Sequence, residues 1–302
     1  MRVAIFGVGA MGCLFGARLS PHADVTLAGH WQEQIAALTT HGLRFVRPDG
    51  GEESIPLRAT DDIASLGEVA LALILVKAAG TARAAQEAAG ILAPDGLALT
   101  LQNGVGNFDV LAERVGIGRA ALGVTAQGAA LLGPGVVRYA GPGPTHLAAR
   151  PEIGAQVEKA AALLRQGGFE THIVENLDSL VWGKLVINAG INALTAILRV
   201  PNGALLESEW ARGLMRAAAL EAAAVAAASG VALPYSDPVA RVEEVARMTG
   251  PNRSSMLQDV LRGAPTEIGA INGAVVRAGE RLGVPTPVNW TLHHLVKAIE
   301  AG

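Results

Sequence analysis

Residues 2–12 read RVAIFGVGAMG, a short apolar run that leads directly into a turn containing three glycines. The run 2–6 predicts a buried strand, and the residues after the turn predict a helix to about residue 20. In the pattern G-x-G-x-x-G, Gly7 permits a tight turn, Gly9 lets backbone approach a pyrophosphate, and Gly12 lets the helix pack on the strand. An ordinary glycine-rich turn is the alternative, but the strand and the helix around this turn favour a dinucleotide site. Its predicted residues are Gly7, Val8, Gly9, Ala10, Met11 and Gly12.

The pattern of apolar residues changes along the chain. Up to about residue 175, predicted strands alternate with predicted helices, and continuous apolar runs at 71–76 and 97–101 are typical of buried parallel strands. Residues 43–57 and the Gly- and Pro-rich stretch 133–144 predict hairpins. Beyond about residue 175 the pattern predicts helices at 177–194, 209–229, 238–248, 266–282 and 288–299. We therefore expect an α/β fold: a Rossmann-type doubly wound domain over residues 1–175 and a mostly α-helical domain over residues 176–302.

Composition excludes several classes of function. The 302 residues include 24 basic and 27 acidic side chains, so neither nucleic acid nor an anionic membrane is an expected partner. The longest apolar run, 217–228, is interrupted by Glu221 and is too short to span a bilayer. The single cysteine, Cys13, fits a reducing compartment and is interpreted as a packed core thiol, so the predicted location is the cytoplasm. The histidines lack metal-ligand spacing, and no metal site is expected.

Polar residues follow three of the predicted strands. The second strand ends at Ala28-Gly29-His30, with neither the acid expected for NAD nor an arginine for the 2′-phosphate of NADP. His30 could contact a phosphate or could simply face solvent. Lys77 and Asn103 follow the strands at 71–76 and 97–101, and carboxyl ends of strands line ligand crevices in such sheets. A surface lysine and a turn-forming asparagine are the alternatives, but their joint placement favours a role at the dinucleotide crevice.

The predicted helix at 177–194 carries a polar stripe. Lys184, Asn188 and Asn192 are spaced i, i+4, i+8 and share one face of an otherwise apolar helix. Buried amides cost free energy unless they are hydrogen-bonded, so the stripe indicates a cavity for a polar ligand. An exposed stripe is the alternative. Reduction of a carbonyl needs a hydride donor, a proton donor and positive charge near the developing alkoxide, and Lys184 can supply the last two.

Later motifs are more ambiguous. Ser254 or Ser255 is predicted to cap a short helix at 256–261, whose N-terminus could receive a carboxylate or could simply be capped. Thr81 is a predicted N-cap of the helix at 81–92. Glu267 falls in the first turn of the helix predicted at 266–282, where an acid is favoured electrostatically, and spacing alone leaves its role undecided.

Taken together, these residues resemble the ketopantoate reductase (2-dehydropantoate 2-reductase) family over nearly the whole chain. The resemblance covers the glycine turn, Lys77, Gln102-Asn103-Gly104, Lys184 with Asn188 and Asn192, Pro201-Asn202-Gly203, Asn252 with Ser255, and Thr266-Glu267-Ile268. It implies NADPH-dependent reduction of 2-dehydropantoate, a small 2-oxo acid, to (R)-pantoate on the way to pantothenate and coenzyme A. It also implies a cleft between the two domains and a monomer or homodimer.

The resemblance also implies roles for individual residues. Lys184 would protonate the substrate carbonyl, Glu267 would position the substrate and Lys184, and Ser255 would hold the substrate carboxylate. Lys77 would lie beside the cofactor. The residues implied to contact substrate or nicotinamide ribose are Asn103, Asn188, Asn192, Asn202 and Asn252.

The chain departs from the family at the cofactor site. Family members commonly have an arginine at the position of His30, and some have a glutamine at the position of Gly80. Both lie near the NADP 2′-phosphate, so NADH is an alternative cofactor. The alternative functions are an NAD-dependent D-2-hydroxyacid dehydrogenase acting on another branched 2-oxo acid and, in a different class, a non-catalytic Rossmann protein that senses the dinucleotide.

Overall fold

The computed structural model describes residues 1–301, which form two compact units. The first unit comprises Met1–Gln102 and Asn107–Leu177. The second comprises Asn103–Gly106 and the chain from Asp178 onward. The four residues Asn103–Gly106 thus belong to the helical unit, although the chain on either side of them belongs to the first unit.

The strands of the first unit are β1 (Arg2–Phe6), β2 (Asp24–Ala28), β3 (Leu43–Val46), β4 (Glu52–Ile55), β5 (Arg58–Thr60), β6 (Val69–Ile74), β7 (Leu92–Thr100), β8 (Ala120–Thr125), β9 (Gly128–Gly133), β10 (Val136–Gly141), β11 (Thr145–Ala148) and β12 (Thr171–Val174). Its α-helices are α1 (Ala10–Leu19), α2 (Gln32–His41), α3 (Thr81–Ile91), α4 (Asn107–Val115) and α5 (Gly154–Gln166).

The central sheet of the first unit has the order β12-β11-β8-β7-β6-β1-β2-β5. Its pairs are parallel except β11 with β8, which run antiparallel. The middle strands are buried on both faces, as the continuous apolar runs predict. Because β1 pairs with β2 on one side and β6 on the other, the strand order reverses beside β1, where such sheets bind ligands.

A smaller sheet, β4-β3-β10-β9, contains the hairpin predicted over residues 43–57, formed by β3 and β4, and a second hairpin, β9–β10, that begins five residues before the predicted stretch 133–144. The core that includes its Phe45 and Val137 also contains Leu14 and Phe15 of α1. The rings of Phe15 and Phe169 stack with centroids 4.4 Å apart. Helix α1 is therefore buried along much of its length, which fits the small residues in its sequence.

The second unit is helical over its described residues. Its α-helices are α6 (Asp178–Leu198), α7 (Glu209–Ala228), α8 (Pro238–Met248), α9 (Ser255–Leu261), α10 (Asn272–Leu282) and α11 (Pro287–Ala301). Residues of α6, α7, α8, α10 and α11 form one apolar core. Helix α6 is long and apolar enough to cross a membrane by length and composition alone, but 61% of its most apolar window is buried inside the protein, as expected of a core helix.

The predicted fold class is confirmed: a Rossmann-type α/β unit and a helical unit. Two local predictions are wrong. Gly80 rather than Thr81 is the N-cap of α3, and the Thr81 hydroxyl instead donates to Asn107 Oδ1 at 3.1 Å. The helix predicted at 266–282 begins only at Asn272. The carbonyl of Ala270 accepts from Val105 N at 3.4 Å, while Ala274 N turns to Ile271 O, so the helical pattern does not extend through residue 270.

Candidate active site

The glycine-rich turn has the geometry that the sequence predicts. Gly7 has φ +124°, and its N–H donates to the carbonyl of Ala28 at 2.8 Å. A Cβ at Gly7 would lie 2.8 Å from the carbonyl carbon of Leu75, and a Cβ at Gly12 would collide with the carbonyl oxygen of Gly7. Both positions therefore exclude any side chain: at Gly7 the backbone that follows β6 is too close, and at Gly12 the helix α1 lies against the turn itself.

Gly9 differs from the other two glycines of the turn. A Cβ there would meet no described atom within 4 Å, so the space in front of it is open. Gly9 is the N-cap of α1, with no side chain capping the helix among the described residues. The first N–H groups of an α-helix have no partner inside the helix and favour an anion. The turn therefore fits the pyrophosphate of a dinucleotide.

The side chain of Gln34 on α2 is hydrogen-bonded to the backbone of the glycine turn. The sequence analysis did not identify this residue. Its Nε2 donates to the carbonyl of Val8 at 2.9 Å and to Cys13 Sγ at 3.2 Å, while its Oε1 accepts from Gly135 N at 2.8 Å. Gln34 is fully buried beside Ile35 and Leu38, and a glutamine on the apolar face of a helix is the signal that could have identified it. Burial raises the pKa of the Cys13 thiol to about 12, so this cysteine is a packed, protonated core thiol as predicted.

The residues after β2 are exposed and carry charge. His30 Nε2 lies 2.9 Å from Glu87 Oε1 on α3. Gln32 Nε2 donates to Asp61 Oδ2 at 2.6 Å, just beyond the end of β5. The sequence predicts that His30 either contacts a phosphate or faces solvent. In the structure its ring is exposed and already has a carboxylate partner.

The segments that follow β6 and β7 are joined by the partly buried side-chain amide of Gln102. Gln102 Nε2 donates to the carbonyl of Val76 at 2.7 Å and to Thr81 Oγ1 at 2.8 Å. Lys77 is exposed and precedes the short 3₁₀ turn Ala78–Gly80. Gln102 therefore fixes the segment that carries Lys77, a role that the sequence analysis did not assign to it.

A groove of about 770 Å³ in the first unit lies elsewhere, near the beginnings of β2 and β5, and its lining includes Asp24, His41 and Arg58. Ligands of parallel sheets bind at the carboxyl ends of strands, whereas this groove is at the amino ends. We therefore do not assign the dinucleotide to it.

Helix α6 presents the predicted polar stripe in the second unit. Asn192 is buried with 7% exposure, and Lys184 and Asn188 are partly buried, so the alternative of a solvated stripe is wrong. Burial lowers the pKa of Lys184 to about 8, and the negative charge of Glu267 opposes that shift. A lysine with this pKa can both hold and release a proton near neutral pH.

Glu267 is the carboxylate of this cluster and is 6% exposed. It lies in a tight turn before α10, where its own carbonyl accepts from Ala270 N and Ile271 N at 3.0 Å. Asn103 Nδ2 donates to Glu267 Oε2 at 3.2 Å. The second unit thus brings Lys184, Glu267 and Asn103 together, three residues that the sequence analysis named from distant segments.

Another predicted group gathers around the loop before α9. Asn202 N donates to the carbonyl of Asn252 at 3.0 Å, and Asn202 Nδ2 donates to Thr249 Oγ1 at 2.9 Å. Among the described residues, the buried Oδ1 of Asn202 has no hydrogen-bond partner. Asn252 and Ser255 are exposed. These residues can offer polar atoms to a ligand, and the Oδ1 atom of Asn202 can accept a hydrogen bond from it.

Ser254, not Ser255, caps α9. Ser254 Oγ accepts from Leu257 N at 3.0 Å and lies 2.7 Å from Thr195 Oγ1. Because the single Thr195 proton goes to the carbonyl of Asn192, Ser254 is the donor of the bond to Thr195. The cap is tied to α6 and leaves the hydroxyl of Ser255 available for another partner.

A turn shaped for a dinucleotide on a doubly wound sheet, together with a partly buried lysine whose pKa is lowered to about 8, defines a class, the nicotinamide-dependent oxidoreductases. Residues 3–152 match the family described as ketopantoate reductase PanE/ApbA, and residues 176–300 match its C-terminal part, described as ketopantoate reductase PanE/ApbA C terminal. The chain belongs to the ketopantoate reductase family and is an oxidoreductase. Membership favours an enzyme over the non-catalytic sensor.

Individual relatives cover the whole chain. The 2-dehydropantoate 2-reductase of Halobacterium salinarum is 39% identical over 98% of both chains, and that of Archaeoglobus fulgidus is 36% identical over 100% of this chain and 98% of its own. Among solved structures, a PanE/ApbA family ketopantoate reductase from Ralstonia eutropha JMP134 has a TM-score of 0.90, 34% identity and coverage of 100% and 99%. D-mandelate dehydrogenase with NADH and anilino(oxo)acetate has a TM-score of 0.93, 30% identity and coverage of 100% and 98%.

Proposed function

We propose that this enzyme reduces the ketone of 2-dehydropantoate to the hydroxyl of (R)-pantoate, a step towards pantothenate and coenzyme A. The names of its full-length relatives support this substrate. The single observation that carries the chemistry is Lys184, whose pKa burial lowers to about 8 beside the buried Glu267. A lysine with a strongly lowered pKa beside a buried carboxylate is typical of a site that transfers protons.

A nicotinamide dinucleotide held by the glycine turn would supply the hydride for the carbonyl carbon. Lys184 donates the proton to the carbonyl oxygen, so the hydride and the proton together convert the ketone to a secondary alcohol. Until that transfer, the ammonium charge stabilises negative charge that develops on the oxygen. Lys184 then takes a proton back from solvent before the next turnover.

Glu267 acts on Lys184 and on the substrate. Its charge raises the pKa of Lys184 against the effect of burial, which keeps more of the ammonium form at neutral pH. The hydrogen bond from Asn103 holds one carboxylate oxygen in a fixed direction. We assign Glu267 the positioning of both groups.

The remaining polar residues would bind the substrate. Ser255, exposed at the start of α9, would donate to the substrate carboxylate. Asn202 Oδ1 is a buried acceptor without a partner in the described chain, which suits a hydroxyl group of a ligand. The residues proposed to contact substrate or nicotinamide ribose are Asn103, Asn188, Asn192, Asn202 and Asn252.

The dinucleotide would bind through the glycine turn, residues 7–12, with Lys77, His30, Asn103 and Glu267 as further contacts. The open space at Gly9 and the uncapped α1 support the pyrophosphate position. The family resemblance implies NADPH, whereas the absence of an arginine at His30 and of a glutamine at Gly80 favours NADH.

We propose that the first unit serves the dinucleotide and that the second serves the substrate and the proton transfer, the roles expected of the domains predicted over residues 1–175 and 176–302. A cytoplasmic location agrees with a buried, unpaired Cys13. A monomer or a homodimer, with no nucleic acid or membrane partner, fits the proposal.

A second candidate is an NAD-dependent D-2-hydroxyacid dehydrogenase acting on another branched 2-oxo acid. The similarity to D-mandelate dehydrogenase with NADH, at a TM-score of 0.93, favours it specifically. The two candidates share Lys184 and differ in the substrate side chain.

Steady-state assays of nicotinamide absorbance with 2-dehydropantoate and a panel of branched and aromatic 2-oxo acids separate the candidates. We expect the highest kcat/KM for 2-dehydropantoate. A higher kcat/KM for another acid would favour the dehydrogenase, and no oxidation of either dinucleotide with any acid would overturn both.

A further inference from the structure

The histidine that follows β2 is already in contact with an acidic side chain. His30 Nε2 lies 2.9 Å from Glu87 Oε1, and the two side chains are 36% and 23% exposed. Glu87 is the acidic residue of α3, which follows β6, whereas His30 is two residues beyond β2. The fold therefore brings a carboxylate from another segment to the end of β2, where the sequence itself has none.

A second carboxylate lies at the same edge of the sheet. Strand β5 pairs with β2, and Gly29 N donates to the carbonyl of Thr60 at 3.0 Å, so Asp61 lies just beyond this pair of strand ends. The hydrogen bond from Gln32 lowers the pKa of Asp61, and the charge of His30 lowers it further. Asp61 is therefore ionised at neutral pH.

In dinucleotide-binding sheets, the residues at the end of the second strand distinguish the two cofactors. An acid there accepts from the ribose 2′-hydroxyl of NAD, whereas an arginine accommodates the 2′-phosphate of NADP. Here one carboxylate, Glu87, contacts His30, and a second, Asp61, lies near enough for the charge of His30 to lower its pKa. A phosphate monoester carries about 1.5 to 2 negative charges at neutral pH, so these carboxylates would repel a 2′-phosphate bound at this strand end.

Two cations on neighbouring segments oppose this repulsion. Lys77 precedes α3, and Arg83 lies one helical turn before Glu87 on α3; both are exposed. Arg83 shares its helix face with Glu87, so a phosphate attracted by Arg83 would also meet the field of the carboxylate.

We propose that Glu87, held by His30, selects the dinucleotide that lacks a 2′-phosphate, so that the enzyme prefers NADH to NADPH. The inference rests on the proposed use of a nicotinamide dinucleotide, and it names the residue that determines which one.

The test measures binding to the full-length protein without a 2-oxo acid, so that catalysis does not enter. Calorimetry gives the dissociation constants of NADH and NADPH, and of adenosine 5′-monophosphate and adenosine 2′,5′-bisphosphate, which differ only in the 2′-phosphate. We expect each ligand without the 2′-phosphate to bind at least about fivefold more tightly, the effect of one charge pair in water. Near 1 M salt, where the screening length is about 3 Å, the ratio should approach one.

Two variants assign the preference. Glu87→Gln should tighten NADPH about fivefold and change NADH less than about twofold. His30→Arg should shift the ratio in the same direction, because it adds a permanent cation. Glu113→Gln, which removes a charge from an exposed position on α4, is the matched control and should leave the ratio unchanged.

Equal or tighter binding of NADPH by the unaltered protein would overturn the inference. So would a Glu87→Gln ratio equal to that of Glu113→Gln, or a selective loss of NADPH binding in Arg83→Gln. Those results would leave the proposed reductase intact. Failure of both dinucleotides to bind would instead remove the proposed function, and this inference with it.

Discussion

The side-chain amide of Asn103 donates a hydrogen bond to Glu267 Oε2 at 3.2 Å, although the two residues lie 164 positions apart in the chain. Glu267 is 6% exposed, and its charge in turn acts on Lys184. A buried carboxylate needs such partners, because burial without them would favour its neutral form. This hydrogen bond joins the segment Asn103–Gly106 to the turn before α10 within the second unit, and it fixes the direction of one carboxylate oxygen of Glu267.

Substitution Glu267→Ala should weaken the 2-oxo acid more than the dinucleotide. The lost contacts are to a charged group, and such hydrogen bonds contribute about 1.5 to 3 kcal/mol, or roughly ten- to a hundredfold in substrate affinity. Titration of the dinucleotide alone, then of the acid into the binary complex, measures both. Equal weakening of both ligands would count against the positioning role.

Substitution Lys184→Ala should remove most turnover while dinucleotide binding survives. Loss of a general acid typically costs about a hundred- to ten-thousandfold in rate. Exposed Lys159 on α5 offers a matched control, since Lys159→Ala removes the same charge far along the sequence from the stripe. If Lys184→Ala keeps a rate close to that of Lys159→Ala, then Lys184 does not donate the proton.

The rate of reduction should fall as the pH rises through about 8. The pKa of Lys184 is lowered to about 8, and only the protonated form can act as the acid, so kcat/KM should decrease about tenfold per pH unit above that value. Oxidation of the alcohol should show the opposite slope. In Glu267→Gln the opposing charge is gone, and the decrease should begin at lower pH. A rate that stays flat between about pH 7 and pH 10 contradicts this assignment.

Substitution Gln34→Leu should weaken the dinucleotide and destabilise the first unit. It leaves Gly135 N and the carbonyl of Val8 without their buried partner, at a cost of about 1 to 3 kcal/mol. Thermal unfolding and dinucleotide titration measure the two effects, with Gln166→Leu at an exposed position of α5 as the control. Unchanged dinucleotide affinity at reduced stability would confine Gln34 to a role in folding.

The ion triad of the second unit should make stability depend on acid pH. Glu243 lies 2.6 Å from Arg212 and 2.5 Å from Arg216, and hydrogen bonding to Arg212 lowers its pKa from 4.5 to about 2. Its contribution is therefore complete above about pH 4.5 and is lost as the pH falls towards about 2. Relative to Glu243→Gln, the unaltered protein should be more stable by on the order of 1 kcal/mol at pH 7, and the difference should shrink at about pH 3. A difference independent of pH would show that packing, not charge, dominates.

Local patterns allowed much of this architecture to be predicted. The turn at residues 7–12 is identified by the spacing of its glycines between a strand and a helix. The stripe of Lys184 on α6 is identified by its helical spacing, so in both cases residues close in sequence suffice. The contact of Glu87 with His30 could not be predicted in this way, because it joins segments 57 positions apart. The same holds for Gln102, whose amide bonds depend on two strands ending side by side.

A contact between residues distant in sequence also explains why the helix predicted to begin near Thr266 is wrong at its start. Residues 266–282 have an acceptable helical pattern, but the carbonyl of Ala270 accepts from Val105 N instead of continuing the helix. A donor from a remote segment overrides local propensity there. That departure places Glu267 in a turn rather than on a helix.

Because residues Asn103–Gly106 belong to the helical unit, they affect any attempt to produce the two units as separate fragments. A fragment that starts at Asp178 would include every α-helix of that unit and still lack the donors to Glu267 and to Ala270, because they precede it by more than seventy residues in the chain. Cutting the gene once therefore cannot yield two self-sufficient halves. Those four residues would have to be returned, as a peptide or by circular permutation, to restore the hydrogen bonds to Glu267 and Ala270.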